Sequence, residues 1–191
     1  MPTPNPEAMR FLLTRRSRPA KILTTPVPSR DELMPILTAA GRVPDHGKLE
    51  PWRFIVLTGG ALTRLARAVE VAGATEERDA DQIAKAASAF DDANLVVAVV
   101  SVPRSTEKVP AIEQTLSGGA ACAALVNAAL ASGWGACWLT GWALDNDAFK
   151  SELGLEPGES VLGFVHIGTE TAEPPERPRP DVDAITSWVS E

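Results

Sequence analysis

Apolar residues recur at helical spacing from the start of the chain. Asn5 can cap a helix whose first position is Pro6, and Met9, Leu12 and Leu13 share one stripe. The stripe runs into Arg15-Arg16-Ser17-Arg18-Pro19. Ser29-Arg30-Asp31-Glu32 has the form of a capping box, Leu33, Ile36 and Leu37 continue the period, and Gly41 stands where a helix stops. Trp52 to Thr58 then reads as a strand closed by Gly59-Gly60, after which Leu62, Leu65, Ala66 and Val69 trace another amphipathic helix. Thr75 to Asp92 is polar, with Ile83, Ala86, Ala87 and Phe90 isolated in it, which predicts a half-exposed helix in a segment free to move.

The valine-rich run Leu95 to Ser101 has no polar alternation, the pattern of a central strand covered on both faces. The loop Pro103 to Pro110 follows. Then comes a helix, about Ile112 to Ser132, so rich in Gly and Ala that a neighbouring backbone can approach closely. Trp134 to Leu139 predicts a short strand, Asp145 opens a helix ending near Gly154, and Val161 to Ile167 predicts another strand. Four prolines between Glu170 and Pro180 exclude a regular helix or a central strand there. The expectation is an extended or wrapping arm, with Trp188 and Val189 docking on some surface, such as another subunit. Helices and strands mix without strict βαβ alternation, which favours an α+β layer structure over a doubly wound sheet.

Composition narrows the function. The 191 residues are one domain's worth, at roughly 100 to 200 residues per domain, and we expect a single domain over 1–191 with its arm at about 170–191. With 45% hydrophobic and 23% charged residues the chain can bury a core without staples. A net charge of -7 argues against broad binding of nucleic acid or an anionic membrane. The apolar run Leu95 to Val100 is far short of the roughly 20 residues a helical span needs, and Met1-Pro2-Thr3-Pro4-Asn5 lacks the pattern of a secretory signal. A cytoplasmic protein is expected. Two cysteines, Cys122 and Cys137, and two histidines form neither a disulfide framework nor a metal site, and the thiols are read as small buried groups.

Three clusters carry candidate chemistry. Arg15-Arg16-Ser17-Arg18 offers guanidinium forks and a hydroxyl to a phosphate, or else places cations where a helix dipole favours them. Arg42-Val43-Pro44-Asp45-His46-Gly47-Lys48-Leu49-Glu50-Pro51-Trp52 sets ionisable groups between two prolines and is read as a binding loop rather than a solvated connection. Gly133 to Gly141 offers glycines, Trp138 and Thr140 to a planar ligand, or to core packing. No G-x-S-x-G elbow, phosphate loop or tyrosine is present, and His166, inside an apolar strand, is read as a satisfied core histidine. A chain so short of acid–base side chains suits a reaction carried by a cofactor.

In this order and spacing the clusters resemble the nitroreductase family of FMN-dependent oxidoreductases, and within it the minimal YdjA-like branch. Arg15-Arg16-Ser17 resembles the family's N-terminal flavin signature. Arg42-Val43-Pro44-Asp45-His46 with Pro51-Trp52-Arg53-Phe54 resembles the branch's Arg-Ala-Pro-Asp-His loop and strand entry. Lys108-Val109-Pro110, Glu113-Gln114 and Gly163 to Thr169 extend the likeness over nearly the whole chain. His46 and Gly47 replace part of the common Ser-x-x-Asn-x-Gln-Pro-Trp pattern, Glu50 precedes Pro51-Trp52, and Leu139 stands where the branch often has arginine.

The resemblance implies a mixed sheet flanked by helices, in an intertwined homodimer with FMN at the subunit interface. It implies that Arg15, Arg16, Ser17 and Arg42 hold the phosphate and ribityl chain, that His46 frames the cofactor, and that Trp138, Leu139 and Thr140 complete the site. It further implies that no side chain is itself catalytic. Electrons would pass by a ping-pong route from NAD(P)H through the flavin to a small electron-poor acceptor such as a nitroaromatic or quinone. The alternatives are a specialised flavin dehydrogenase or dehalogenase, a flavin-storage protein without efficient turnover, and a structural dimer without cofactor.

Overall fold

The computed structural model describes residues 3–191; Met1 and Pro2, where the reading of the N-terminus begins, lie outside the described residues. Helix α1 spans Pro6–Thr14, with the Asn5 side chain accepting the Ala8 amide as its cap. None of its residues is buried. The chain then makes a short 3₁₀ turn at Ala20–Ile22 and the two-residue strand β1 (Leu23–Thr24). Helix α2 (Arg30–Ala40) starts at the expected capping box, with Ser29 and Glu32 satisfying each other's amides. Strand β2 (Trp52–Thr58) leads to a helical hairpin, α3 (Gly60–Thr75) and α4 (Ala80–Asp91). Strand β3 (Leu95–Ser101), α5 (Ala111–Ala131), β4 (Gly135–Leu139), α6 (Asp147–Leu153) and β5 (Ser160–Glu170) complete the order.

Strand β5 organises the sheet. It pairs with β3 on one side and with β4, and it takes β1 at its end, while β2 pairs with the far side of β3. Every pairing among the described residues is antiparallel, which corrects the mixed sheet implied by the resemblance. The α3–α4 hairpin turns the chain back between β2 and β3, so these neighbours run opposite ways. Strands β3 and β4 do point the same way, but β5 lies between them.

All seven residues of β3 are buried, as the valine run predicts. They alternate between two cores. Val96, Ala98 and Val100 pack with Leu65, Val69, Phe90 and Phe149 beneath α3, α4 and α6. Leu95, Val97 and Val99 pack with Leu33, Ile36, Ala121 and Leu125 beneath α2 and α5. The molecule is thus a sheet between two helical layers, with the small residues of α5 letting that helix lie close to β3, β4 and α2.

One ion pair ties the sheet edge to the α6–β5 turn. Arg53 of β2 meets Glu159 in a two-point contact of 2.8 and 2.6 Å, with the carboxylate only 8% exposed and the guanidinium 37%. The Arg53 hydrogen bond holds the Glu159 carboxyl below the usual carboxylate range. Its stabilisation is therefore fully present above the ordinary carboxylate pKa and is lost as pH falls through the lowered folded value. We expect Glu159→Gln to cost about 1–2 kcal/mol at pH 7, less than a fully buried pair because Arg53 meets solvent. Urea unfolding should show the difference between the two proteins shrinking as the pH is taken below 4.

From residue 171 the chain forms no helix or strand. It is extended, as its prolines require, but Trp188 is 91% exposed and covers nothing on its own chain. No helix among the described residues is long and apolar enough to cross a membrane.

Candidate functional site

The segment 15–18 reaches strand β4 at Arg18. The Arg18 amide donates to the Ala136 carbonyl at 2.8 Å, and the Arg18 side chain pairs with Glu170 of β5 at 3.1 Å. Arg15, Arg16 and Ser17 are thereby held beside the strand whose end carries Trp138, Leu139 and Thr140. The two predicted clusters are thus joined through Arg18 and Ala136. Arg18 itself is structural.

The arginine pair is half-buried and incompletely satisfied. Arg15 Nη2 donates to Ser17 Oγ at 3.0 Å, yet Arg15 Nε is buried without a partner. Arg16 Nη1 donates to the Pro175 carbonyl of the C-terminal arm, and Arg16 Nε is likewise buried and unpaired. The arm adds Arg179, whose Nη2 lies 3.5 Å from the Arg15 carbonyl and pairs with Glu176 at 2.9 Å. Burial first, and then the Arg179 charge, lowers the Arg15 pKa. Two buried guanidinium donors without acceptors, beside a third arginine, are complementary to an anion such as a phosphate. Sequence reasoning missed Arg179; its one signal is the spacing of Arg177 and Arg179 among prolines in an acidic chain.

Trp138 has a structural task as well. Strand β5 bulges at Leu162, because Val99 and Val100 of β3 face Gly163 and Val161. Trp138 Nε1 donates to the freed Leu162 carbonyl at 3.2 Å, and the indole lies directly over Gly163, where a Cβ would fall inside the ring. Trp138 remains 40% exposed, and Leu139 and Thr140 beside it are exposed too.

The second cluster stands elsewhere. Asp45 ties its loop by accepting the Leu49 and Glu50 amides at 3.1 and 2.9 Å. Gly47, Lys48 and Glu50 have φ of 74°, 54° and 47°, left-handed values that side-chain-bearing residues rarely adopt, so the turn is strained at two of its three positions. Ser117 Oγ joins the loop to α5 by donating to the Pro44 carbonyl at 2.7 Å while accepting from Trp52 Nε1 at 3.1 Å. Arg104 reaches the Leu49 and Glu50 carbonyls rather than the Glu50 carboxylate. His46 Nδ1 is 2.7 Å from Glu113 Oε2, and Arg42 is exposed.

No hydrogen bond or ion pair among the described residues joins Arg42 or His46 to residues 15–17 or 138–140. The loop leads into β2, and β3 and β5 separate that strand from β4. The buried thiols behave as expected, with burial raising the Cys122 pKa to about 12 and the Cys137 pKa to about 11. No group of residues suited to a metal ion occurs among the described residues.

A family model described as the nitroreductase family matches residues 12–169. The chain is 33% identical over 163 residues to YdjA of Escherichia coli strain K12, provisionally named an NAD(P)H nitroreductase, covering 85% of this chain and 88% of that protein. The chain belongs to the nitroreductase family. Among solved structures, the nitroreductase-like protein of Bacillus cereus superposes with a TM-score of 0.83 at 23% identity, covering all of both chains. A variant of NfnB from Sphigopyxis sp. strain HMH, described as an FMN and NADPH-dependent nitroreductase, gives a TM-score of 0.77 at 22% identity, covering 96% of this chain and 99% of that one. At these identities the structures establish the α+β nitroreductase fold, with helices flanking an antiparallel sheet.

Proposed function

We propose that the protein is an FMN-dependent NAD(P)H oxidoreductase acting on a small electron-poor acceptor such as a nitroaromatic or quinone. The observation that carries this reading is the pair of buried, unpartnered Nε atoms of Arg15 and Arg16 beside β4. A buried guanidinium nitrogen without an acceptor is costly, and a phosphate supplies acceptors to guanidinium groups. Family membership and the FMN and NADPH dependence of NfnB support the same cofactor and donor.

In this reading Arg15, Arg16 and Ser17 bind the phosphate and ribityl chain, and Trp138, Leu139 and Thr140 supply the surface against which a flat ring is oriented. When bound, FMN supplies the two-electron relay between NAD(P)H and acceptor, by ping-pong turnover. Arg42 and His46 serve the cofactor of a second copy of the chain, which accounts for their separation from the arginine pair in one subunit. Exposed apolar side chains support a homodimer. Met9, Leu12 and Leu13 on α1, Ile112 and Leu116 on α5, and Ile185 and Trp188 on the arm all meet solvent here.

The test is the visible spectrum of the purified protein after incubation with FMN, followed anaerobically as NADH and then NADPH are added. Flavin bands that bleach with either nucleotide are the expected result. Flavin that stays oxidised would reduce the reading to storage, and a colourless protein would return the arginines to a purely structural role.

A further inference from the structure

A cavity of about 380 Å³ lies on the other side of the 139–144 segment, between β5 and helices α3 and α4. Its volume is within the roughly 300–1,000 Å³ range of small-molecule sites. Phe90, Phe149 and Phe164 line it, in mutual contact with ring centroids 5.0 to 6.1 Å apart. Three aromatic side chains suit a flat apolar body.

Two polar groups belong to the buried part of the cavity lining, the unpartnered Trp142 Nε1 and the ring of His166. His166 follows Phe164 by two residues on β5, so both side chains face the same core. It is 3% exposed, it lines the cavity, and it hydrogen-bonds to no described residue. The sequence reading of a satisfied core histidine is therefore corrected: the ring is buried but unpaired. Burial alone pushes its pKa down to about 4, so at neutral pH it carries one donor nitrogen and one acceptor nitrogen without charge. Buried polar groups are ordinarily paired, and a ring nitrogen open to a cavity this large has room for a ligand.

The rim differs from the base. Thr140, Gln82 and Lys85 line it and are exposed, and Lys85 takes part in none of the ion pairs of the described residues. A negative charge is stabilised beside Lys85 in contact with water, and is disfavoured among the phenylalanines. We propose that this cavity is a binding site for a small aromatic carboxylate, with the ring among Phe90, Phe149 and Phe164, its distal substituent packed against His166 and the carboxylate at Lys85. The inference goes beyond the flavin reading and does not need it, although Leu139 and Thr140 border both places.

The test uses 4-fluorobenzoate as probe, followed by its fluorine resonance, with neutral fluorobenzene beside it. Titrations are run on the full-length protein with and without FMN, while the His166 ring is watched in nitrogen-edited spectra. Saturable binding with displaced His166 signals is expected in both forms. Lys85→Gln should weaken the carboxylate by about fivefold and leave fluorobenzene unchanged, the size of one exposed ion pair. Ala89→Leu, which fills the half-buried wall at α4, should weaken both probes by at least about tenfold. Unmoved His166 signals, no effect of Ala89→Leu, or displacement of the probe by FMN would each overturn the proposal. The last of these would assign the cavity to the flavin. A protein that binds the probe but never FMN would instead overturn the flavin reading and leave this one standing.

Discussion

Arg15→Ala should weaken FMN binding by about 10- to 100-fold while the protein still unfolds at an unchanged temperature. The magnitude follows from removing one hydrogen-bonded charge at a phosphate, about 1.5–3 kcal/mol. Stability is spared because Arg15 makes only one side-chain hydrogen bond among the described residues, to Ser17, and its Nε has no acceptor to lose. The lowered Arg15 pKa points the same way, since burial and Arg179 both oppose its charge until an anion arrives. Fluorescence titration with FMN and with riboflavin separates the roles. If Arg15 holds the phosphate, the variant loses affinity for FMN and keeps its affinity for riboflavin. An equal loss of both would move Arg15 to the ring or the ribityl chain, and no loss of either would remove it from the site. Arg67→Ala, on an exposed turn of α3, is the control that should change nothing.

The parts of this site that were legible in the sequence are those set by local chemistry. Asn5 and Ser29 announce helix starts because capping is a matter of three or four residues, and both cap as expected. The run Leu95 to Ser101 announces a buried strand because no polar side chain interrupts it. What failed to show was long-range. Strand directions depend on how the α3–α4 hairpin returns the chain, and nothing in β2 or β3 alone records that. Strand β1 is two residues long, too short for any periodicity. The arm's contribution of Pro175 and Arg179 to the arginine pair spans about 160 residues of sequence, and the loose proline spacing gives no register. The residue type of Trp138 suits a planar ligand and core packing equally, whereas its hydrogen bond to the bulged Leu162 carbonyl depends on a register shift between β3 and β5. His166 shows the same limit from the other direction. A histidine in an apolar strand is correctly read as buried, but whether a partner reaches it is decided by α4 and the 139–144 segment.

The largest loss of stability is expected from Phe149→Ala, about 3–5 kcal/mol, which for a chain of this length lowers the melting temperature by roughly 6–20 °C. Phe149 is fully buried and is the point where α6 meets α4 through Phe90 and the sheet through Phe164. Two costs add, the transfer of the ring's area to water and the void it leaves. The void cannot close easily here. Phe164 is fixed on β5 between two paired strands, Phe90 is held edge-on to it at 5.0 Å, and the existing cavity already borders the ring. Urea unfolding at pH 7 should show a lower midpoint with an unchanged slope, since the area exposed on unfolding hardly alters. Phe11→Ala is the counterpart, because no residue of α1 is fully buried in the single subunit and Phe11 is only half-buried, so the change should cost about 1 kcal/mol in a monomer. If Phe11→Ala proves costly and its cost grows with protein concentration, α1 is packed in the assembled protein, and the exposed stripe of Met9, Leu12 and Leu13 has found its partner in a second copy.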